Sequence, residues 1–219
     1  MSSNRLPGKI LLPVAGKPML QYLLERLQYA GWGDQVVVAT SNREDDLPVA
    51  EFCKRFGARC VRGSLQDVAL RFLQVLDRYP AGLFVRLCGD SPLFDPQMIE
   101  SALGLAAAGE WDLVTNVAPR TFPPGQSVEA VSVAAYREAY SWFRDAEDFE
   151  HVTKFFYKHP ERFRIRNFEA GRPYPGLHFA IDTPEQMAEF AASVARMDRP
   201  HWEYGLEDVV RLYERGAGA

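Results

Sequence analysis

Between positions 18 and 30 the apolar residues Leu20, Leu23, Leu24 and Leu27 recur at the spacing of one helical face, and Gly31 stands just beyond them as a stop. The run Val36-Val37-Val38-Ala39 that follows is short and uninterrupted, the pattern of a parallel strand buried on both faces. The alternation then repeats. Helices are predicted over 47–56, 66–79 and 96–108, and strands over 59–62, 83–87 and 112–115. A Pro/Gly-rich stretch with Pro119, Pro123, Pro124 and Gly125 interrupts the rhythm. Beyond it the pattern predicts a strand over 128–133, helices over 134–144 and 147–158, strands over 163–168 and 177–181, and closing helices over 184–196 and 206–214. Strand–helix units without an internal repeat or linker predict one α/β domain over residues 1–219, a doubly wound and mostly parallel sheet covered on both faces. Ligands of such sheets gather where the strands end, so residues just after strands are the first candidates for chemistry.

Composition removes several function classes. At 47% hydrophobic and 25% charged the chain is globular rather than disordered or fibrous. Its 25 Lys+Arg against 29 Asp+Glu give a net charge of −4, without the basic excess of a nucleic-acid binder. Cys53, Cys60 and Cys88 are odd in number and lack C-x-x-C spacing, and the four histidines form no H-x-x-x-H pair, so neither a disulfide framework nor a zinc centre is implied. Gly125-Gln126-Ser127-Val128-Glu129 lacks the second glycine of a nucleophile elbow, and Gly31-Trp32-Gly33 follows a helix rather than a strand, so it is no dinucleotide fingerprint. No apolar run approaches the ~18 residues of a membrane span, and the start Met1-Ser2-Ser3-Asn4-Arg5 is polar; the expectation is a soluble, cytoplasmic protein with no membrane partner.

Three stretches carry candidate chemistry. Arg5-Leu6-Pro7-Gly8-Lys9, with Gly16-Lys17-Pro18 opening the first helix, offers glycine for close backbone approach and three cations for phosphate. The competing reading is a basic surface loop with Pro at the first helical position. Leu87-Cys88-Gly89-Asp90-Ser91-Pro92 places an acid at the end of an apolar strand, where it either holds Mg²⁺ against a phosphate or caps a turn. Ile181-Asp182-Thr183-Pro184-Glu185 repeats that arrangement before a helix, where an N-cap is the alternative. Two strand-end acids together match the demand of an octahedral Mg²⁺ that shares its other positions with water and substrate phosphate.

In order along the chain, seven stretches resemble the cytidylyltransferase family that activates acidic sugars (acylneuraminate and CMP-KDO synthetase-like), in particular its spore-coat polysaccharide branch. They are Ser3-Asn4-Arg5-Leu6-Pro7-Gly8-Lys9, Ala39-Thr40-Ser41, Arg62-Gly63-Ser64-Leu65-Gln66-Asp67-Val68, Arg86-Leu87-Cys88-Gly89-Asp90-Ser91-Pro92-Leu93, Pro119-Arg120-Thr121-Phe122-Pro123, Glu150-His151-Val152-Thr153 and Ile181-Asp182-Thr183-Pro184-Glu185. The resemblance implies a nucleotide-diphospho-sugar transferase fold and transfer from CTP to a small sugar, with release of pyrophosphate, for surface polysaccharide or glycan synthesis. It implies Arg5 and Lys9 on the phosphates with Lys17 as a helper, and Asp90 and Asp182 on Mg²⁺. Thr40, Ser41, Arg62 and Asp67 fall beside the nucleotide, and Arg120, Glu129, Glu150 and His151 toward the sugar. A homodimer is compatible with it.

The departures lie on the sugar side: Phe149 where relatives carry arginine, Ser127 where they carry an acid, and His178 where they carry an arginine before D-T-P. A catalytically silent sugar-nucleotide binding module therefore competes with the enzyme, whereas a glycosyltransferase would need an Asp-x-Asp that the sequence lacks. In relatives an apolar strand ending in Ala-Arg runs into the phosphate loop, and here Met1 stands at that place. The expectation is that the natural protein begins upstream with one more strand and one more arginine.

Overall fold

The computed structural model describes residues 6–217, the last of them for its backbone alone. Arg5 and the expected N-terminal strand lie outside the described residues. A 3-10 turn, Lys9–Leu11, and a two-residue hairpin of β1 (Pro13–Val14) and β2 (Lys17–Pro18) lead into α1 (Met19–Tyr29). The predicted alternation follows as β3 (Val37–Ser41), α2 (Leu47–Phe56), β4 (Arg59–Gly63), α3 (Val68–Arg78), β5 (Leu83–Arg86), α4 (Gln97–Ala107) and β6 (Leu113–Thr115). The second half holds β7 (Glu129–Ser132), α5 (Val133–Ser141), α6 (Ala146–Glu150), α7 (Lys154–Lys158), β8 (Ile165–Asn167), α8 (Pro184–Ala195) and α9 (Leu206–Ala217).

Period-2 alternation builds the layers. In β6, Leu113 packs with Phe156 and Tyr136 on one face of the sheet, while its neighbour Val114 packs with Leu23 and Ile99 on the other. In β7, Val131 and Ala130 divide in the same way. Helices α3, α5 and α7 therefore cover one face and α1 and α4 the other. A third cluster joins α1 to α8 and α9 through Tyr22, Phe190, Val209 and Tyr213. Arg26 locks that junction from inside, with its buried guanidinium donating to the carbonyls of Phe94 (2.7 Å), Tyr204 (2.5 Å) and His201.

The pairing differs from the expected run of parallel strands. β3 and β4 pair in parallel, as do β6 and β8, but β7 lies antiparallel between β5 and β6. The reason is the connection: residues 116–128 return the chain without a helical crossover, and a loop return reverses strand direction. Two further expectations are corrected. Residues 177–181 form no strand, because their amides bond to loops: Phe179 and Ala180 N–H to the Pro124 carbonyl (2.6 and 3.2 Å) and Ile181 N–H to the Asp90 carbonyl (2.8 Å). The helix expected over 147–158 breaks into α6 and α7 at His151-Val152-Thr153, where His151 turns extended (φ −111°, ψ 102°) and the buried Val152 side chain joins the core.

Among the described residues the sheet falls into two parts, β3–β4 and β5–β7–β6–β8. A cavity of about 780 Å³ lies between them, walled by Val37, Val38, Leu83 and Val85 and closed above and below by Leu24 and Phe72. Its effect shows in burial: Val37–Ala39 and Leu83–Arg86 sit centrally yet are only half-buried.

Candidate active site

Three remote segments meet at the carboxyl end of β5. Gly8 adopts a left-handed backbone (φ 70°, ψ 8°) that turns the chain into the 3-10 helix and aims Lys9 inward. Asp90 follows β5 through Cys88-Gly89, and Asp182 precedes α8, whose start is fixed by a capping box of Thr183 and Gln186. Gln186 Oε1 also accepts the Asp182 N–H at 2.7 Å, and the Ile181 N–H to Asp90 carbonyl bond ties both acid loops together. Gly125 makes the close approach possible: at φ +98° its hydrogen faces the Phe179–Ala180 peptide, and a Cβ there would lie 2.5 Å from Ala180 N.

The Lys9 ammonium sits between the acids. Nζ donates to Asp90 Oδ2 at 2.8 Å, to Asp182 Oδ1 at 2.8 Å and to the Ile181 carbonyl at 2.7 Å. Burial disfavours the Lys9 charge, but hydrogen bonds to Asp182 and Asp90 and their negative charge outweigh it and hold the ammonium above its ordinary range. The lysine side chain is 12% exposed and the carboxylates about a third, so the acids face the solvent and the cation lies behind them. Lys9, Asp90, Thr40 and Glu150 all line the same cavity.

Other predicted site residues are held elsewhere. Lys17, expected beside the phosphates, is paired with Glu25 at 2.7 Å and lies 5.5 Å from the Trp202 ring. Ser41 donates its hydroxyl to Asp46, and Asp67 caps α3 through Leu70 N–H (2.6 Å) while accepting from Tyr140 (2.8 Å). Arg62 donates to the carbonyls of Ser41 (3.2 Å) and Arg43 (2.8 Å) and lines a second, open cavity of about 460 Å³ with Ser64 and Gln66. Arg120 is exposed and bonds Ser127 at 2.8 Å, while Glu150 and His151 are exposed around the break between α6 and α7.

Glu129 is the most deeply buried of the sugar-side candidates. Expected toward the sugar, it is 2% exposed, accepts from Arg86 at 2.7 Å and takes the Tyr157 hydroxyl at 2.5 Å. Tyr157 is in turn bonded to Thr115 at 2.8 Å. Burial disfavours the Arg86 charge, but the Glu129 carboxylate, hydrogen-bonded to it, holds its pKa above the usual range. Arg86 itself was missed by motif reading. The signal was present, because an arginine in Leu83-Phe84-Val85-Arg86-Leu87 and a glutamate in Val128-Glu129-Ala130-Val131 each interrupt an apolar strand and need a buried partner. Phe149 packs edge-on against Tyr140 and Phe143.

The carboxylate pair fits a hard cation: two aspartates and a backbone carbonyl already converge on one ammonium within 2.8 Å. Among the described residues no group of three or more acidic, histidine or cysteine side chains gathers into a fuller cage, and no helix is long and apolar enough to cross a membrane.

Comparison with known proteins gives the family. The spore coat polysaccharide biosynthesis protein SpsF of Bacillus subtilis is 28% identical over 230 residues, spanning 100% of this chain and 92% of its own. The structure of a cytidylyltransferase from Leptospira borgpetersenii superposes with a TM-score of 0.93 at 27% identity, covering 100% of this chain and 92% of that one. A CMP:2-keto-3-deoxy-manno-octonic acid synthetase complexed with CTP shares the fold, with a TM-score of 0.66 at 21% identity over 89% of this chain and 95% of its own. The family model for cytidylyltransferases matches residues 1–214, and the chain belongs to that family as a nucleotidyltransferase.

Proposed function

We propose that the chain transfers the cytidylyl group of CTP to an acidic or amino sugar, giving a CMP-sugar and pyrophosphate for surface polysaccharide or glycan synthesis in the cytoplasm. The observation that carries this reading is the convergence of Lys9, Asp90 and Asp182 at the strand ends, beside a cleft that also holds Thr40 and Glu150. A sugar hydroxyl attacks the α-phosphorus in line while pyrophosphate leaves, so the protein contributes positioning and charge rather than a covalent partner. Burial pushes the Cys88 thiol up, which keeps the nearest sulfur protonated and unreactive. Lys9, with Arg5, neutralises the phosphate charge. Asp90 and Asp182 would hold Mg²⁺, which supplies charge neutralisation on the phosphate oxygens. Gln186 and the Asp90–Ile181 backbone bond keep the acids in place.

The silent binding module remains the second reading, favoured by Phe149 packing into the core and Glu129 being consumed by Arg86. A pyrophosphate-release screen of four nucleotides against a panel of acidic and amino sugars separates the two. Release with CTP and one sugar class supports the enzyme. CTP binding without release for any sugar overturns the proposed reaction in favour of the binding module.

A further inference from the structure

We infer that the Lys9 ammonium is a resident counter-ion of the Asp90–Asp182 pair that excludes a divalent cation from the empty cleft, so that metal enters only together with nucleotide phosphates. The inference rests on the reading of the two acids as the metal-holding pair.

An ammonium has three N–H donors and no more. Here they are all spent: on Asp90 Oδ2, Asp182 Oδ1 and the Ile181 carbonyl, at 2.8, 2.8 and 2.7 Å. In this arrangement Lys9 has no donor left for a phosphate. Its two roles, partner of the acids and partner of the phosphates, therefore exclude one another, and going from one to the other requires the side chain to move.

The acids are built to stay. Ile181 N–H is bonded to the Asp90 carbonyl at 2.8 Å, Asp182 N–H to Gln186 Oε1 at 2.7 Å, and Gly125 lets residues 124–125 brace the same segment. Lysine carries its charge on a flexible four-carbon stem, so the part that yields is the ammonium. Two carboxylates and one ammonium leave the trio with a single negative charge. Exchanging the ammonium for a divalent cation is disfavoured while Lys9 has nowhere to go, because the displaced charge would leave a half-buried pocket without a partner. A bound triphosphate supplies that partner. The consequence is an order of events: metal arrives with nucleotide, and Lys9 crosses from carboxylates to phosphate as it does.

The cost of the resident state can be read as a reduced apparent affinity, since a ligand that binds only the minor, open form is weakened by the fraction of that form. With Lys9 withdrawn a tenth of the time or less, Mn²⁺ alone binds the parent at least about tenfold more weakly than a chain without the ammonium.

The test uses Mn²⁺ alone as probe on the full chain, with free metal followed by its paramagnetic resonance signal, for the parent and Lys9→Met. Tighter binding by Lys9→Met, about tenfold or more, is expected. Equal or weaker binding overturns the inference. Retention of labelled CTP in equilibrium dialysis with and without Mn²⁺, for the parent and Asp90→Asn, tests the underlying reading separately: metal-dependent retention lost in Asp90→Asn supports it, and retention unchanged there overturns it and the inference with it. Should Lys9→Met fail to fold, the parent decides alone. Acetylation of Lys9 by acetic anhydride, mapped by mass spectrometry, is unchanged by millimolar Mn²⁺ alone, because the metal is kept out; a several-fold rise under Mn²⁺ alone overturns the exclusion.

Discussion

Replacing Glu129 by Gln separates a structural role from a sugar-binding one. The carboxylate is 2% exposed and joins Arg86 at 2.7 Å and Tyr157 at 2.5 Å, so the amide leaves the Arg86 guanidinium as a largely buried cation without its counter-charge. Breaking one side of a buried ion pair costs ~3–5 kcal/mol, a large part of the ~5–15 kcal/mol that holds a typical domain together. At about 2–4 °C per kcal/mol for a chain of this size, the melting temperature falls by roughly 6–20 °C. Scanning fluorimetry measures that shift, and sugar titrations at a temperature where the variant is folded give its KM. The double variant Arg86→Met, Glu129→Leu removes both charges and recovers most of the loss, because an apolar pair of similar bulk replaces an ion pair at little cost. A Glu129→Gln melting point within about 1 °C of the parent, accompanied by a raised sugar KM, refutes the structural assignment and returns Glu129 to the substrate side.

Three further outcomes follow from the geometry. Gly125→Ala places a Cβ 2.5 Å from Ala180 N at a positive φ, so it loses about 2–4 kcal/mol in denaturant unfolding and loosens the Asp182 segment; a variant as stable as the parent contradicts the close approach. Lys9→Ala weakens CTP strongly and cytidine hardly at all in calorimetry, since an ammonium serves phosphate and not base; equal losses contradict the role. Burial pushes the His201 imidazole down to about 4, below the ~6.5 of an unfolded chain, so the unfolded state binds more protons between those values and stability falls as pH drops through that window. His201→Gln removes that component, and the stability gap between parent and variant therefore changes between pH 7 and pH 4; a constant gap refutes the assignment.

Much of the fold was legible because apolar periodicity is a local property. Leu20, Leu23, Leu24 and Leu27 mark α1, and the strands 37–41, 59–63 and 83–86 fall within two residues of their apolar runs. Direction and pairing are not local. The Val128-to-Val133 run is the same whether β7 lies parallel or antiparallel, and the length and course of the 116–128 loop decide it. Residues 177–181 look like a strand because Leu177, Phe179 and Ile181 alternate, but their amides are claimed by Pro124 and Asp90, contacts between distant positions. At the site, Asp90 and Asp182 were legible as acids at strand ends. Their common contact with Lys9 was not, nor was the capture of Lys17 by Glu25, since each needs the relative placement of segments that the chain brings together only on folding.

Lys9 and Asp182 stand 173 positions apart, and the segments that carry them pack into one cluster with α8 and α9 through Leu6, Ile10, Phe190 and Val209. The chemistry is therefore distributed over the segments around Lys9, Asp90 and Asp182 rather than housed in any one of them. A nascent polypeptide has no functional centre until Asp182 and the helices α8 and α9 that pack with it have emerged and docked, however well the preceding strands are formed. The same holds in reverse. Local opening of the C-terminal layer separates Asp182 from Lys9 and Asp90 before the strands between them melt, so cleavage or fraying near α9 silences the centre in a molecule that still looks folded to far-UV spectroscopy.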